Sequence, residues 1–457
     1  MMSHNPHFPK QLFHNIRRTL AKHWLSLMPA TQIALTGSFG KTSTTNIIYT
    51  LLKKLYKLNK ISVTDIDLDT TYNVPITALN VKPWTKVALF ELGVDHVGEM
   101  SKHLEIVHPQ IAIITGITPV HTDKEHFGSL ENLIKEKRKL LEALPENGYA
   151  ILNYDDEIVR SMAKHTKAKI LWYGSDPKKC DLWTTNVKIT LSDASFNLHS
   201  KPNIFFPSLT PNFPSTSLKA SYLLTTKLIG LHHTHTIMAS VLTMIALSKI
   251  TQQSISFDSL IKVIKTIAPL QGRMNLEKGP MGTIVLNDSL RANPASTASG
   301  LKTLSGFNIG NHRKFAVLAE MGELQKPQIE HEKIGELIAK LKIDYLVSIG
   351  PWQKYTANLA IKNNMQKDKV FWVKDVQTAA QILRPLIKPG DLIYLKGSLL
   401  RHVNRILLLL DGKEVGCRAV LCPFYHPCEK CQYLKSGYSV NTSPVIPTPL
   451  SGGGILL

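Results

Sequence analysis

The stretch Thr36-Gly37-Ser38-Phe39-Gly40-Lys41-Thr42-Ser43-Thr44-Thr45 decides how this chain is read. A β-prone run, Gln32-Ile33-Ala34-Leu35, leads into it, and apolar residues follow at helical spacing: Ile47, Ile48, Leu51, Leu52 and Leu55. Strand, glycine turn and helix start are the three parts of a phosphate-binding loop. Gly37 and Gly40 allow close backbone approach and tolerate positive φ. The amides at the helix start point at an anion, Lys41 adds a positive charge, and the Thr42 hydroxyl suits Mg²⁺. The glycine spacing is short, with two intervening residues where the common phosphate-loop pattern has four. The flanking strand and helix argue against a chance match.

Working outward, the 457 residues suggest about three domains with ample chain for buried cores. Lysine and arginine number 54 against 34 acidic residues, a net charge of +20. Such a surplus suits nucleic acid, an anionic membrane surface or a polyanionic substrate. The basic residues are scattered, however, as in Lys53, Lys54, Lys57 and Lys60 on one helix and Lys135, Lys137, Arg138 and Lys139 on another. Without an aromatic-interleaved basic stripe, a nucleic-acid role is not expected. The longest nearly apolar run, Ile237 to Leu247, is too short to span a bilayer. Because the N-terminus also lacks an apolar signal core, a cytoplasmic protein is expected.

Along the chain, a short basic amphipathic helix at 11–28 leads into the first strand. Strands and helices then alternate to about Ile250, with strands expected at Val87–Leu92, Ile111–Thr115, Tyr149–Asn153 and Ile170–Tyr173. Residues 183–228 are Thr/Ser/Asn-rich and punctuated by Pro202, Pro207, Pro211 and Pro214, which suggests a small antiparallel excursion or long loops. Helix returns at His232–Leu247 and Ser256–Ile267. After Pro269-Leu270-Gln271-Gly272-Arg273, a second alternation includes strands at Gly282–Leu286, Phe315–Ala319, Tyr345–Ile349 and Leu392–Lys396. The predicted class is α/β: a central P-loop domain with a doubly wound, mostly parallel sheet, and a smaller C-terminal Rossmann-like α/β domain. The boundaries fall at 1–30 for the lead-in, 31–268, 269–415, and 416–457 for a Cys/Pro/Gly-rich appended tail.

Strand Val87–Phe90 delivers Glu91 to the crevice at the strand ends, a natural Mg²⁺ ligand. The next strand leads to Gly116-Ile117-Thr118-Pro119-Val120-His121, where a histidine beyond a strand end is a candidate metal ligand. Lys137 lies sixteen residues further, on a helix opened by Ser129-Leu130-Glu131. By pattern alone it reads as a solvated lysine. Thr42, Glu91 and His121 together would surround a nucleotide's phosphate tail with ligands for divalent metal.

These stretches, with Y-N-V-P-I-T at 72–77, E-L-G at 91–93, F-G-S-L-E-N-L-I-K-E-K at 127–137, L-N-Y-D-D at 152–156, G-L-H-H at 230–233, N-D-S-L-R-A-N-P-A-S at 287–296 and L-K-G-S at 395–398, resemble the Mur ligases. These are ATP-dependent amide ligases of peptidoglycan precursor synthesis, and the resemblance covers about residues 30–410. D-S-x-x-A-N-P and F-A-V-L-A-E-M-G-E-L at 315–324 are most similar to the branch that adds D-alanyl-D-alanine. The resemblance implies that ATP phosphorylates a substrate carboxylate and that an incoming amine attacks the acyl phosphate. It implies an ATP set of Gly37, Ser38, Gly40, Lys41, Thr42, Ser43, Arg273, Asp288 and Asn293. Thr42 and Glu91 would hold one Mg²⁺, and His121 with Lys137 a second. The family lysine at the place of Lys137 is carbamylated, which turns a cation into a carboxylate-like ligand. The catalytic residues so implied are Lys41, Lys137 and His121, with a cell-wall precursor and an amino acid or dipeptide as substrates.

The chain also departs from that pattern. Only about thirty residues precede the loop where the family carries a domain gripping uridine diphosphate. A lipid-linked or other acid, a partner subunit supplying substrate recognition, or a catalytically silent scaffold are the alternatives this raises. The usual Tyr-Asn after Asp-Ser is Leu290-Arg291, the asparagine before I-T-P is Gly116, the asparagine after G-L-H is His233, and the arginine after K-G-S is Leu399, with Arg401 nearby. In the tail, Cys422-x5-Cys428-x2-Cys431, with Cys417 and His426 close by, reads first as reduced thiols and second as a tetrahedral zinc site.

Overall fold

The computed structural model describes residues 8–65, 70–201, 204, 221–422, 424 and 428–438. Pro202, Pro207, Pro211, Pro214, His426 and 439–457 lie outside them.

Helix α1 (Phe8–Ser26) packs Ala21 and Leu25 inward, and the Trp24 Nε1–H donates to the Val81 carbonyl at 2.7 Å. Its opposite side leaves Leu12, Phe13, Ile16 and Leu20 exposed. Nine strands follow in one sheet: β1 (Thr31–Thr36), β2 (Ile61–Val63), β3 (Val87–Glu91), β4 (Ile111–Ile114), β5 (Tyr149–Asn153), β6 (Lys169–Gly174), β7 (Leu182–Ile189), β8 (Ala194–Ser200) and β9 (Ser221–Thr226). Their order is β2-β3-β1-β4-β5-β6-β7-β8-β9. Pairing is parallel from β2 through to β7 and antiparallel in β7-β8-β9, where the Thr/Ser-rich excursion was expected.

The inner strands read as continuous apolar runs because both faces are covered. Ile33 and Leu35 of β1 face a core shared with α2 (Lys41–Leu55), while Ala34 faces the other core. Parallel strands buried on two sides lose the polar alternation of a half-exposed sheet. The chain leaves β1 toward β3 on one side and β4 on the other. That is a topological switch point, and a ligand crevice opens there at the carboxyl ends of the strands. Helix α3 (Leu130–Glu142) covers one face, and Asp156 caps the short α4 (Glu157–Met162) by accepting from the Val159 amide at 3.1 Å. The long α5 (His232–Thr251) contains the apolar run Ile237–Leu247, most of it buried in the core beneath the sheet. Among the described residues no helix is long and apolar enough to cross a membrane.

A second sheet has the order β10-β11-β15-β12-β13-β14, from β10 (Asn275–Lys278), β11 (Ile284–Asp288), β12 (Lys314–Ala319), β13 (Tyr345–Ile349), β14 (Val370–Val373) and β15 (Leu392–Lys396). Only the edge pair β10-β11 is antiparallel. Helix α6 (Pro294–Gly306) follows β11 behind a capping box formed by Asn293 and Ser296.

The start of the segment expected as an appended tail is packed. Gly416 and Cys417 donate backbone hydrogen bonds to the Leu434 carbonyl, and Arg418 to that of Tyr438. Cys417, Cys422 and Cys428 are buried. Short polar turns with thiols show no hydrophobic period even when they pack.

Candidate active site

The glycine turn is shaped by contacts that need glycine. Gly37 has φ 152° and Gly40 φ 75°. A Cβ on Gly37 would stand 2.0 Å from Thr115 Oγ1, and one on Gly116 2.2 Å from the Phe39 ring. Gly116, where the family pattern has asparagine, therefore makes room for Phe39. The loop is stapled to the chain after β4: the Ser38 amide donates to the Gly116 carbonyl at 2.8 Å and the Ser38 hydroxyl to that of Thr118 at 3.0 Å.

Two ammonium groups converge on this loop. Half-buried Lys41 donates to the Gly37 carbonyl at 2.9 Å, and fully buried Lys137, from α3, donates to the same oxygen at 3.2 Å. Among the described residues neither has a carboxylate ion-pair partner. Burial, then the charge of Lys41, lowers Lys137 to about 7. Burial also lowers Lys41, with Glu91 opposing and Arg291 and Arg273 reinforcing the shift. Glu91, at the end of β3, accepts from Thr42 at 3.2 Å and from Thr45 at 3.1 Å. A carboxylate flanked by hydroxyls is a hard oxygen donor set suited to Mg²⁺.

His121 sits in left-handed conformation at φ 53°. Its Nδ1 lies 2.8 Å from Glu323 and its Nε2 3.4 Å from Asp95. Asp95 also acts electrostatically on Lys41 and Lys137, which ties His121 to the lysine pair. His121, His126 and Glu323 offer ligand atoms within 4.8 Å of one another. Glu323 comes from the second lobe, after β12. Its backbone carbonyl accepts from the Thr122 amide at 3.1 Å, and the Gln325 amide donates to Thr122 Oγ1 at 3.1 Å. Burial would raise Glu323, but the hydrogen bond and charge of His121, with Arg291 and His126, hold it down at about 2.

The other expected residues take more varied positions. Asp288, at the end of β11, accepts from Lys396 at 2.6 Å and Tyr394 at 3.1 Å. Burial raises its carboxyl, opposed by Lys396 and Tyr394 and by the charge of Arg273. Asn293 uses its side-chain oxygen to cap α6, accepting from Ser296 at 2.9 Å. Arg291 is exposed at the crevice, near enough for its charge to act on Lys41 and Glu323. Arg401 pairs with buried Glu320 at 2.5 Å. His233 is buried and lowered to about 4 by desolvation, and its Nε2 has no hydrogen-bond partner among the described residues.

The sequence reading did not single out Asp95, His126 or Glu323. Glu323 stood inside the quoted run 315–324, but nothing local marks its pairing with a histidine about two hundred positions earlier.

The paired lysines on one carbonyl, the glycine cradle and the Thr42–Glu91 oxygens fit a nucleotide's phosphates with a hard cation. Two family models match the chain: the Mur ligase middle domain over residues 35–244 and the Mur ligase glutamate ligase domain over 272–399. The chain belongs to the Mur ligase family. As a Mur ligase it is an ATP-dependent enzyme of the peptide-ligase type. It is 26% identical to the UDP-N-acetylmuramoyl-tripeptide–D-alanyl-D-alanine ligase of Mycobacterium leprae over 391 residues, 80% of this chain and 71% of that one. The Bacillus subtilis protein of the same name is 25% identical over 380 residues, 83% of this chain and 75% of that one. The Mur ligase also superposes on MurF from Acinetobacter baumannii with a TM-score of 0.73 at 23% identity, covering 88% of this chain and 81% of that one. For MurF ligase from Thermotoga maritima in complex with ADP, the TM-score is 0.70 at 19% identity, over 88% and 84% of the two chains. The last two show a shared fold.

Proposed function

We propose that this Mur ligase joins a carboxylate of a peptidoglycan precursor to D-alanyl-D-alanine or an amino acid, at the expense of ATP and in the cytoplasm. The observation that carries the reading is the convergence of Lys41 and Lys137 on the Gly37 carbonyl beside Thr42, Glu91 and the His121–Asp95 pair. ATP supplies the transferred phosphoryl group, and Mg²⁺ neutralises charge on it.

Each residue then has a task. The amides of Gly37, Gly40 and Ser43 face the phosphates, Ser38 fixes the loop through its bonds to the Gly116 and Thr118 carbonyls, and Lys41 offsets the phosphate charge where phosphoryl passes to the acid. Thr42 and Glu91 hold one cation. His121 and Lys137 help hold the second, with Lys137 as its carbamate. A lysine lowered to about 7 is partly neutral at physiological pH, and a neutral amine is the form that adds CO₂ with loss of a proton. Arg273, Asp288 and Asn293 line the nucleotide from the second lobe, with Asp288 on the ribose or the metal's water shell. Asp288 would have to share its oxygens with Lys396 to do so.

D-Alanyl-D-alanine is favoured as amine because the relatives at 25–26% identity carry that activity in their names. A lipid-linked acid is the second reading, favoured by the exposed apolar side of α1 at Leu12, Phe13, Ile16 and Leu20 on a chain of net charge +20. The test is phosphate release from ATP with D-alanyl-D-alanine and either a soluble or a lipid-linked muropeptide, with mass analysis of the product. Amide formed only from the lipid-linked acid selects the second reading. Tight ATP binding without turnover on any acid overturns both, and leaves a nucleotide-binding scaffold for a partner subunit.

A further inference from the structure

Cys417, Cys422, Cys428 and Cys431 line one small pocket of about 10 Å³ beside the second lobe, far along the chain from the catalytic loop. Three separate pieces of backbone bring them there. Cys417 is held by its amide on the Leu434 carbonyl, at 3.0 Å. Cys422 donates to the Leu400 carbonyl at 2.8 Å. Cys428 opens a tight turn in which the Cys431 amide donates to the Cys428 carbonyl at 3.0 Å. All four are free thiols.

A second feature of the pocket makes four neutral thiols an incomplete account. Arg405, 1% exposed, lines the same pocket. Its guanidinium donates to the Cys417 sulfur at 3.2 Å, to the Cys417 carbonyl at 3.3 Å and to the Ala419 carbonyl. Among the described residues the buried Arg405 Nε–H has no partner. Among the described residues no carboxylate pairs with Arg405. A buried guanidinium keeps its charge, and a buried charge needs a counter-charge. Neutral thiols supply none.

We infer that Cys417, Cys422, Cys428 and Cys431 bind one Zn²⁺ as a closed tetrathiolate site, with Arg405 as its buried counter-charge. Four thiolates around a divalent ion carry net charge −2, which the guanidinium partly offsets. Binding exchanges S–H bonds for Zn–S bonds and releases the thiol protons to solvent. Thiolate is the ligand form of cysteine, so the bound cation itself draws off the thiol protons. The sulfurs are gathered around the pocket but are not yet at ligand spacing, since the three-ligand set within 4.8 Å among the described residues is His121, His126 and Glu323. Closing to Zn–S distances of about 2.3 Å draws them inward. With four protein ligands and no open position the role is structural. The site ties the Cys422–Leu400 contact, and with it the turn Leu399–Arg401 after β15, to the body of the lobe.

The test uses the full chain purified under reducing conditions, with metal analysis and titration by Co²⁺. About one zinc per chain, and the intense charge-transfer absorption of a tetrathiolate Co²⁺ complex, are expected. Cys428→Ser should lower zinc content at least about tenfold, while Cys180→Ser, in the first lobe, should leave it unchanged. Should Cys428→Ser fail to fold, chelation of the wild-type chain gives the same reading: thermal stability falls and four thiols become reactive. Three outcomes overturn the assignment: less than a tenth of an equivalent of zinc with no uptake of added metal, a cobalt spectrum lacking the thiolate bands, or a Cys428–Cys431 disulfide in the reduced preparation. Phosphate release by the ligase is read separately, so loss of either result leaves the other standing.

Discussion

Among the described residues, cations are buried without carboxylate partners in two places, and the two are treated differently. In the crevice, Lys41 and Lys137 share the Gly37 carbonyl, and burial takes Lys137 down to about 7. Beside the second lobe, Arg405 is equally enclosed but rests on two carbonyls and a sulfur. A lysine can discharge itself by losing a proton, whereas an arginine cannot. The crevice can therefore stand ready for an anion that comes and goes, and its lysine can be chemically modified. The cysteine pocket needs a counter-charge that stays. The same burial makes a working site in one case and a structural one in the other.

The largest effect that would break this comparison is at the loop. Lys41→Met should lower ATP-dependent phosphate release by about 10²–10³-fold, as expected for removal of one preorganised charge at a transferring group. A variant with near-normal turnover would remove the lysine pair from catalysis. Next, Lys137→Arg retains charge but cannot form a carbamate. We expect turnover to fall about 10²-fold; full activity would show that charge alone is what the position supplies.

The pH response sharpens the contrast further. The neutral fraction of Lys137 rises as pH rises through about 7, so CO₂ dependence of activity should be strongest below that pH and fade above it. Stability follows the opposite form of the lysine. Its folded value lies below the ordinary 10.5, so the buried charge costs nothing above about pH 10.5 and increasingly more as pH falls. The cost is constant below about 7. Lys137→Met should flatten that part of a denaturation-against-pH curve.

Arg405→Met should lower stability by about 1–3 kcal/mol in chemical denaturation, through two stranded carbonyls and a site left without its counter-charge. ATP affinity should not change, because the arginine does not touch the crevice. A shift in ATP affinity would mean that the two regions are coupled. The smallest effect, at a contact involving none of these cations, sets the scale. Asp156 accepts from Ile117 at 2.7 Å and from Val159 at 3.1 Å, and Asp156→Ala should cost about 1 kcal/mol of stability.

Much of the fold was legible before any coordinates. The strands at Tyr149–Asn153, Tyr345–Ile349 and Leu392–Lys396 lie where apolar β-prone runs end at turns. The strands left unread, β2, β10 and β14, are short and lie at the edges of the two sheets. Arg405 heads the run Arg-Ile-Leu-Leu-Leu-Leu, and sequence spacing alone would place its charge in solvent. The packed cysteine segment was hidden for the same reason: its contacts are with other parts of the chain.

What the sequence determined by itself was the strand, the two glycines and the helix start, because those are set by neighbours a few residues away. It also placed Thr42, Lys41 and Glu91 at strand and helix ends, where the alternation of an α/β chain sends them. Only the tertiary structure set Lys137 on the Gly37 carbonyl, Glu323 against His121, and Arg405 among the thiols. Those contacts join positions from 12 to about 200 residues apart, and they form because packing two lobes and a folded-back segment removes water from particular charges. Local propensity carries no record of which charges those will be.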